Sequence, residues 1–285
     1  MNIVIGLREM SGIADRLRSE GKRIALVPTM GALHEGHASL IRLARGKADV
    51  VVTSLFVNPA QFAPGEDFSR YPRNLTGDTE LAQKAGSDML FTPSAGEMYP
   101  GDFRTYIGVD ELSTLLEGKF RPTHFRGVAT VVAKLFHCVK PHIAVFGQKD
   151  AQQVVILRKM VQDLNFDIQI VVAPIVREPD GLAMSSRNVY LTPAERRDST
   201  VLHRSLQSAV QQIGAGERNP SAILQTMTRV ISGVRSTAID YISIADPVTL
   251  RERTSLTAGD EVLISLAVRI GSTRLIDNCL ITVPQ

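Results

Sequence analysis

Short, continuous apolar runs that alternate with helical patterns are the feature that most constrains how this chain can fold. The runs cover residues 23–28, 50–57, 88–92, 142–146 and 167–172. Continuous rather than alternating runs are typical of strands buried on both faces of a parallel sheet. The helical patterns cover residues 10–20, 36–46, 75–85, 127–140 and 151–165. Because parallel strands need crossover connections, the alternation predicts a doubly wound α/β fold.

The pattern changes after residue 176. Pro179-Asp180-Gly181 is a turn signal, and Thr192-Pro193 predicts the start of a helix, with Thr192 as N-cap. Helical segments at 193–214 and 220–232 precede alternating runs at 238–245, 261–268 and 273–282. This order predicts a smaller C-terminal α+β domain. We therefore expect one domain at residues 1–176 and a second at 177–285.

Charge and cysteine content exclude several classes of protein. Among 285 residues, 32 Lys and Arg against 29 Asp and Glu leave a net charge of +3. This balance gives no electrostatic case for a nucleic acid or membrane partner. Cys138 and Cys279 are the only cysteines, too few for a disulfide framework and suited to a reducing cytosol. The apolar start is too short for a signal peptide or membrane span, so we expect a cytoplasmic protein.

The first motif that could carry chemistry is Pro-Thr-Met-Gly-Ala-Leu-His-Glu-Gly-His at residues 28–37. It follows an apolar run and leads into a helix, where ligands bind in a doubly wound sheet and free N–H groups suit phosphate. His34 and His37 share one face of a helical turn, and each could donate a hydrogen bond to phosphate. Gly31 and Gly36 would let backbone approach a ligand. Zinc binding and two plain surface histidines remain alternatives.

Two further motifs follow the ends of other apolar runs. Phe-Val-Asn-Pro-Ala-Gln-Phe at residues 56–62 offers the amide of Gln61, although turn formation explains Asn58 as well. Phe-Gly-Gln-Lys-Asp-Ala-Gln-Gln at residues 146–153 offers Lys149 as a mobile charge for phosphate. Asp150 could cap the next helix or hold a metal, and Gln153 should face the same side.

The fourth motif, Ala-Met-Ser-Ser-Arg-Asn at residues 183–188, combines two hydroxyls and a guanidinium on a loop near the predicted domain boundary. Such a loop could hold phosphate and close over a ligand. Three motifs thus lie at the carboxyl ends of apolar runs, and the fourth can reach them. We expect all four to form one site.

Together these motifs, with Arg-Pro-Thr-His-Phe-Arg-Gly-Val-Ala-Thr-Val-Val at 121–132, resemble the pantothenate synthetase (pantoate–β-alanine ligase) family. The family belongs to the nucleotidyltransferase superfamily, and the resemblance runs along the whole chain. It implies a Rossmann-like ATP- and pantoate-binding domain with a smaller C-terminal lid domain. It also implies ATP-dependent condensation of (R)-pantoate with β-alanine, releasing AMP and pyrophosphate, with Mg²⁺ as cofactor and a homodimer as the assembly.

The same resemblance implies roles for individual residues. His37 would be the catalytic proton donor, while His34 and Lys149 would contact phosphate. Gln61 would bind both pantoate and β-alanine, and Gln153 would bind pantoate. Tyr71, Arg121 and His124 would lie nearby with roles left open. The implied ATP site consists of Met30, Gly31, Ala32, Leu33, His34, Glu35, Gly36, His37, Gly147, Gln148, Lys149, Asp150, Val176, Met184, Ser185, Ser186 and Arg187.

One segment departs from the family pattern. Some relatives carry consecutive acidic residues where this chain has Gly77-Asp78, so the sequence assigns no protein ligand to Mg²⁺. The metal could be held mostly by phosphates and water. Two alternatives to the ligase remain: an adenylyltransferase of the same superfamily acting on another small substrate, and a nucleotide-sensing or RNA-binding module. The near-neutral charge argues against RNA.

Overall fold

The computed structural model describes residues 1–285, and six of its strands form one parallel sheet in the order β1-β4-β3-β2-β5-β6. All five neighbouring pairs are parallel. The predicted doubly wound fold is therefore confirmed. The six strands are β1 (Asn2–Val4), β2 (Ile24–Thr29), β3 (Val50–Leu55), β4 (Met89–Phe91), β5 (Ile143–Gly147) and β6 (Gln169–Ala173).

Helices cover both faces of this sheet, which explains why its strands are continuously apolar. Ile24 and Leu26 of β2 belong to a core cluster with the first, sixth and seventh helices, while Ala25 and Val27 pack with the second and third. Successive side chains of a strand point to opposite faces, so both faces need apolar residues. The seven helices are α1 (Leu7–Ser19), α2 (Glu35–Arg45), α3 (Leu75–Ala85), α4 (Ala95–Met98), α5 (Glu117–Phe120), α6 (His124–Val139) and α7 (Ala151–Asp163).

The strand order reverses between β2 and β5. From β2 the chain proceeds to β3 and β4 on one side, then returns so that β5 pairs with the other side of β2. In an open α/β sheet, a crevice forms at the carboxyl ends of strands where the order reverses. The histidine motif follows β2 and the lysine motif follows β5, so the topology places both motifs at this crevice.

A second, three-stranded antiparallel sheet lies in the C-terminal part, as predicted. Its own core cluster of 18 buried residues includes Leu202, Ile223 and Ile264. The predicted boundary at residues 176 and 177 falls in the connection between the two sheets, and it stays a prediction. The elements here are α8 (Pro193–Asp198), α9 (Val201–Gly214), α10 (Pro220–Ser232), β7 (Thr237–Ala245), β8 (Glu261–Ile270) and β9 (Thr273–Thr282).

The structure corrects one local expectation and adds one strand that the sequence did not predict. The single helix predicted at 193–214 is wrong, because it is divided between α8 and α9. At the break, the hydroxyls of Ser199 and Thr200 donate to the carbonyls of Arg196 and Arg197, local bonds that compete with a continuous helix. Strand β1 was not predicted, since three residues are too few for a pattern. None of the helices has the length and apolar character needed to cross a membrane.

Candidate active site

A cavity of about 770 Å³ lies beyond the carboxyl ends of β2 and β5. Residues from all four sequence motifs line it, together with the second-tier residues Tyr71, Arg121 and His124. The expected residues that line the cavity are Met30, His34, Gly36, His37, Gln61, Gly147, Lys149, Asp150, Gln153, Val176, Met184, Ser185, Ser186 and Arg187. Those that lie outside its lining are Gly31, Ala32, Leu33, Glu35 and Gln148.

The two histidines organise the first turn of α2. Nδ1 of His34 accepts the Gly36 amide at 3.1 Å, and Nδ1 of His37 accepts the His34 amide at 3.3 Å. A Cβ at Gly36 would lie 2.8 Å from the His34 ring, so only glycine leaves room for this cap. The Gly36 amide is therefore already engaged, contrary to the expectation that the N–H groups at the start of this helix are free for phosphate. Because Nδ1 accepts in both rings, the neutral imidazoles carry their protons on Nε2 and can donate from there.

Electrostatics keep both rings neutral. Burial, and then the charge of Lys149, lowers the pKa of His34 to about 4. Burial, followed by His34 and Lys149, holds the pKa of His37 well below its usual value of 6.5. The ring centroids are 4.1 Å apart. Two neutral donors beside an ammonium group form a local environment that favours an anion.

The depressed pKa of His34 predicts a pH-dependent stability. The unfolded chain takes up a proton near pH 6.5, whereas folded His34 stays neutral until about pH 4. His34 therefore contributes stability above pH 6.5 that is lost as the pH falls towards 4. We expect His34→Gln to flatten part of this fall in the free energy of unfolding, measured by urea denaturation from pH 7.5 to about 4.5. Parallel wild-type and variant profiles would contradict it.

Lys149 and Asp150 lie between β5 and α7 and bring both signs of charge to the cavity. Lys149 takes part in none of the ion pairs of the structure. Asp150 occupies the N-cap position of α7, yet its side chain makes no capping hydrogen bond. The sequence left two roles open for Asp150, capping the helix or holding a metal, and the structure shows no capping bond from its side chain. Both charged groups are available to a ligand.

Gln61 links the first two motifs. Its Nε2 donates to the sulfur of Met30 at 2.8 Å, and its Oε1 accepts from Nδ2 of Asn58 at 3.1 Å. Nδ2 of Asn58 also donates to the carbonyl of Gly127 at 3.1 Å. A Cβ at Gly127 would lie 2.2 Å from the carbonyl oxygen of Ala60, so glycine here lets α6 approach the turn that carries Gln61. Asn58 is thus a structural residue, and Gln61 lines the cavity.

Arg121 and His124 hold the backbone of Gln61. Nδ1 of His124 donates to the Gln61 carbonyl at 2.9 Å, and Arg121 donates to the same oxygen at 3.3 Å. Burial, and then Arg121, lowers the pKa of His124 to about 3. Arg121 also pairs with Glu66 at 2.6 and 2.7 Å. These contacts fix the position of Gln61 independently of its side chain.

Asp78 is the acidic residue at the position where the sequence departs from the family pattern, and it supports the loop after β2. Its carboxylate accepts the amides of Ala32 at 2.9 Å and Leu33 at 2.6 Å. Ala32 has φ 51°, a left-handed conformation that costs about 1–2 kcal/mol in an L residue and needs such support. Burial raises the pKa of Asp78. No group of three or more His, Cys, Asp or Glu side chains is placed to hold a metal ion.

The fourth motif forms a short 3₁₀ helix at Ser186–Tyr190 rather than an irregular loop. Ser185 caps it by accepting the Arg187 amide at 3.3 Å. Arg187 pairs with both oxygens of Asp67 at 2.9 and 3.0 Å, and the hydroxyls of Ser186 and Tyr71 are 2.9 Å apart. Asp67 was missed because nothing in its local sequence marks it. A phosphate that binds Arg187 has to share this guanidinium with Asp67.

A Rossmann-like sheet with an unpaired lysine and two histidine donors at its switch point defines an α/β enzyme acting on a phosphorylated ligand. The protein-family model for pantoate-β-alanine ligase matches residues 2–280. The chain belongs to the pantoate-β-alanine ligase family and is a ligase. The predicted family is thereby confirmed.

Individual relatives match this chain over nine-tenths of its length or more. The pantothenate synthetase of Syntrophobacter fumaroxidans is 52% identical over 281 residues, covering 99% of each chain. That of Roseiflexus is 55% identical over 256 residues, covering 90% of this chain and 91% of the other. The crystal structure of pantothenate synthetase from Thermus thermophilus is 43% identical, with a TM-score of 0.92 and complete coverage of both chains.

A further solved structure has ligands. The pantoate-β-alanine ligase from Francisella tularensis, complexed with beta-gamma ATP and β-alanine, is 35% identical to this chain. Its TM-score is 0.82, and the match covers 98% of this chain and 97% of the other. These comparisons do not favour the adenylyltransferase alternative.

Proposed function

We propose that this chain condenses (R)-pantoate with β-alanine to give pantothenate, AMP and pyrophosphate through a pantoyl adenylate. The observation that carries the proposal is the ligase family match over residues 2–280 in a chain whose four motifs line one cavity. A carboxylate is a poor acyl donor because oxide would have to leave. Adenylation supplies AMP as a better leaving group.

In the first step, the pantoate carboxylate attacks the α-phosphorus of ATP and pyrophosphate leaves. Negative charge develops on phosphate oxygens, and groups already aimed at those oxygens stabilise the transition state. His34 and His37 would donate hydrogen bonds from neutral Nε2, so the donor role that the resemblance implies for His37 would be that of a neutral hydrogen-bond donor to a phosphate oxygen. Lys149 would supply positive charge, and Ser185, Ser186 and Arg187 would contact the phosphates. The resemblance also implies ATP contacts from Met30, Gly36, Gly147, Asp150, Val176 and Met184, which line the cavity, and from Gly31, Ala32, Leu33, Glu35 and Gln148, which lie outside its lining.

In the second step, the neutral amine of β-alanine attacks the acyl carbonyl and AMP leaves. Gln61 would hold pantoate and β-alanine together, while Gln153 would bind pantoate. Positioning of the amine against the carbonyl makes this step effectively unimolecular. A closed cavity also shields the adenylate from water. We propose that the C-terminal domain, residues 177–285, serves as the lid over the catalytic domain at 1–176.

Mg²⁺ fits the charged groups of this cavity. Asp78 uses its carboxylate on backbone amides and Asp67 pairs with Arg187, whereas Asp150 keeps a carboxylate free of any capping bond. Mg²⁺ commonly takes one or two carboxylates together with phosphates and water, so Asp150 would be its protein ligand. The ion would neutralise charge on the triphosphate.

Pyrophosphate exchange tests the proposed reaction. Labelled pyrophosphate should enter ATP when pantoate is present and β-alanine is omitted, because adenylation is reversible. Addition of β-alanine should then release AMP and form an amide detectable by mass spectrometry. Exchange that proceeds without pantoate, or with an unrelated acid in its place, would instead favour an adenylyltransferase acting on another substrate.

Replacement of Gln61 tests the proposed binding of the two small substrates. We expect Gln61→Ala to raise the KM for pantoate and for β-alanine by about tenfold, the cost of one hydrogen bond to a charged group, and to change the KM for ATP little. Gln169→Ala, at an exposed position of β6, is the control. An effect confined to ATP would show that Gln61 is wrongly placed.

We propose a homodimer in the cytoplasm as the native state. Residues 104–108 belong to no helix or strand and make no backbone–backbone hydrogen bonds, and Tyr106 is 41% exposed there. A second copy could cover this segment, because its backbone groups, apart from the Ile107 amide that donates to Oγ1 of Thr130 at 2.9 Å, have no backbone partner within the chain. The free thiols of Cys138 and Cys279 fit a reducing compartment. Light scattering coupled to gel filtration measures the assembly directly.

A further inference from the structure

A buried asparagine of the C-terminal sheet contacts the backbone of the lysine motif. Asn278 lies on β9, a strand of the C-terminal sheet, and is only 2% exposed. Its Nδ2 donates to the carbonyl of Gln148 at 3.0 Å and to the carbonyl of Lys149 at 2.9 Å. Its Oδ1 accepts from Nε2 of Gln148 at 3.0 Å. All the hydrogen-bonding groups of this side chain are thus committed to two consecutive residues.

The two carbonyls belong to the peptide units on either side of the Lys149 Cα. Holding both units fixes the backbone dihedral angles of Lys149 and, with them, the direction in which its side chain leaves the backbone. The Lys149 side chain itself forms no ion pair that would orient it. Asn278 is therefore the side chain that ties the base of Lys149 to the second sheet.

The preceding residue of β9 holds another segment of the cavity. The carboxylate of Asp277 is almost fully buried and pairs with Arg177 at 2.7 and 3.0 Å. Arg177 follows Val176, which lines the cavity. Consecutive residues of one strand thus fix two separate parts of the proposed nucleotide site. Small misplacements of a charged group are costly when catalysis depends on positioning.

We infer that Asn278 is a positioning residue for adenylate formation, acting through Lys149. This inference rests on the proposed function, in which Lys149 stabilises charge on the phosphates. Asn278 lies in the lining of the cavity, but its side-chain donors and acceptor are already engaged by Gln148 and Lys149, so it acts through them. Asn278 fixes the position of the Lys149 ammonium group. Through Asn278, the C-terminal sheet contributes to phosphate binding.

A double-mutant cycle with Lys149 tests the inference. We expect Asn278→Ala to lower the rate of pantoate-dependent pyrophosphate exchange by about 10–10²-fold and to raise the KM for ATP more than that for pantoate. In the Lys149→Ala background the same replacement should change the rate by less than about twofold, since its effect passes through the missing ammonium group. An undiminished loss in that background would overturn the inference.

Ser205→Ala provides the matched control. Ser205 is fully buried in the same part of the chain and donates to the Met227 carbonyl at 3.3 Å, away from the cavity. It should leave exchange and the KM for ATP unchanged even where it lowers the melting temperature. An Asn278→Ala variant indistinguishable from this control would refute a positioning role.

Two further arms keep the outcome interpretable. If Asn278→Ala does not fold, Asn278→Ser, which retains one donor, enters the same cycle; failure of both to fold would overturn the inference in favour of a purely structural residue. If the wild-type enzyme shows no pantoate-dependent exchange, the proposed function fails. Calorimetric binding of a non-hydrolysable ATP analogue to the same four proteins then tests the coupling of Asn278 to Lys149 separately.

Discussion

Lys149→Ala is expected to slow pantoate-dependent pyrophosphate exchange by about 10²–10³-fold, the typical cost of removing one group that stabilises developing charge. Lys149 lines the same cavity as His34 and His37, and its charge contributes, after burial, to the lowered pKa of both rings. Because the Lys149 side chain forms no ion pair within the protein, its removal should leave the melting temperature nearly unchanged. Single-turnover measurements of adenylate formation would separate this loss from product release.

Lys159→Ala is the matched control for this prediction. Lys159 lies on α7, the helix that follows the lysine motif, and pairs with Asp163 at 2.6 Å on the surface. It removes the same charge close by in sequence without touching the cavity. Normal turnover of Lys149→Ala, or an equal loss in both variants, would refute the role assigned to Lys149.

His37→Ala should reduce adenylate formation by a similar factor, about 10²–10³-fold, because it removes a donor from the phosphates. The replacement also frees the His34 amide, which Nδ1 of His37 accepts at 3.3 Å, so His34 should lose part of its fixed position. Circular dichroism and the melting temperature establish that the fold is retained. His137→Ala, an exposed histidine at the end of α6, is the control.

His37→Gln distinguishes a neutral donor from a protonated one. The depressed pKa of His37 indicates that the ring donates as a neutral group in the free enzyme. A glutamine amide is also a neutral donor, so His37→Gln should recover part of the rate lost in His37→Ala. Two results together would show that an imidazolium is required. The first is that His37→Gln recovers no activity at any pH. The second is that the wild-type rate rises as the pH falls below 6.5.

The strand-forming segments of the first sheet were predictable because local apolar patterning sets the element type. All five predicted runs overlap strands β2 to β6, and Thr192 caps α8 as its position before Pro193 indicated. The motifs were predictable for a related reason, since each is a short run of residues whose side chains suit phosphate or a polar ligand. The protonation state of His34 was not predictable, because its pKa depends on burial and on Lys149, which is far away in sequence.

The supporting residues of the site were largely hidden in the sequence. Asp78 stood out as an acidic residue, but its role in holding the Ala32 and Leu33 amides depends on a contact across more than forty residues. Asp277 and Asn278 left one signal: a polar pair within an otherwise apolar strand pattern at the end of the chain. That signal gave no indication of Arg177 or Lys149 as their partners.

The sequence by itself determined the alternation of strands and helices, the small C-terminal sheet, the family and the four motifs that supply the chemistry. Tertiary structure alone decided that β5 pairs beside β2, which places the histidine and lysine motifs at one crevice. It also decided that Asp67 faces Arg187 and that Asn278 holds Lys149. The physical reason is that element type follows from neighbouring residues, whereas strand order and distant contacts depend on packing free energy summed over the whole chain.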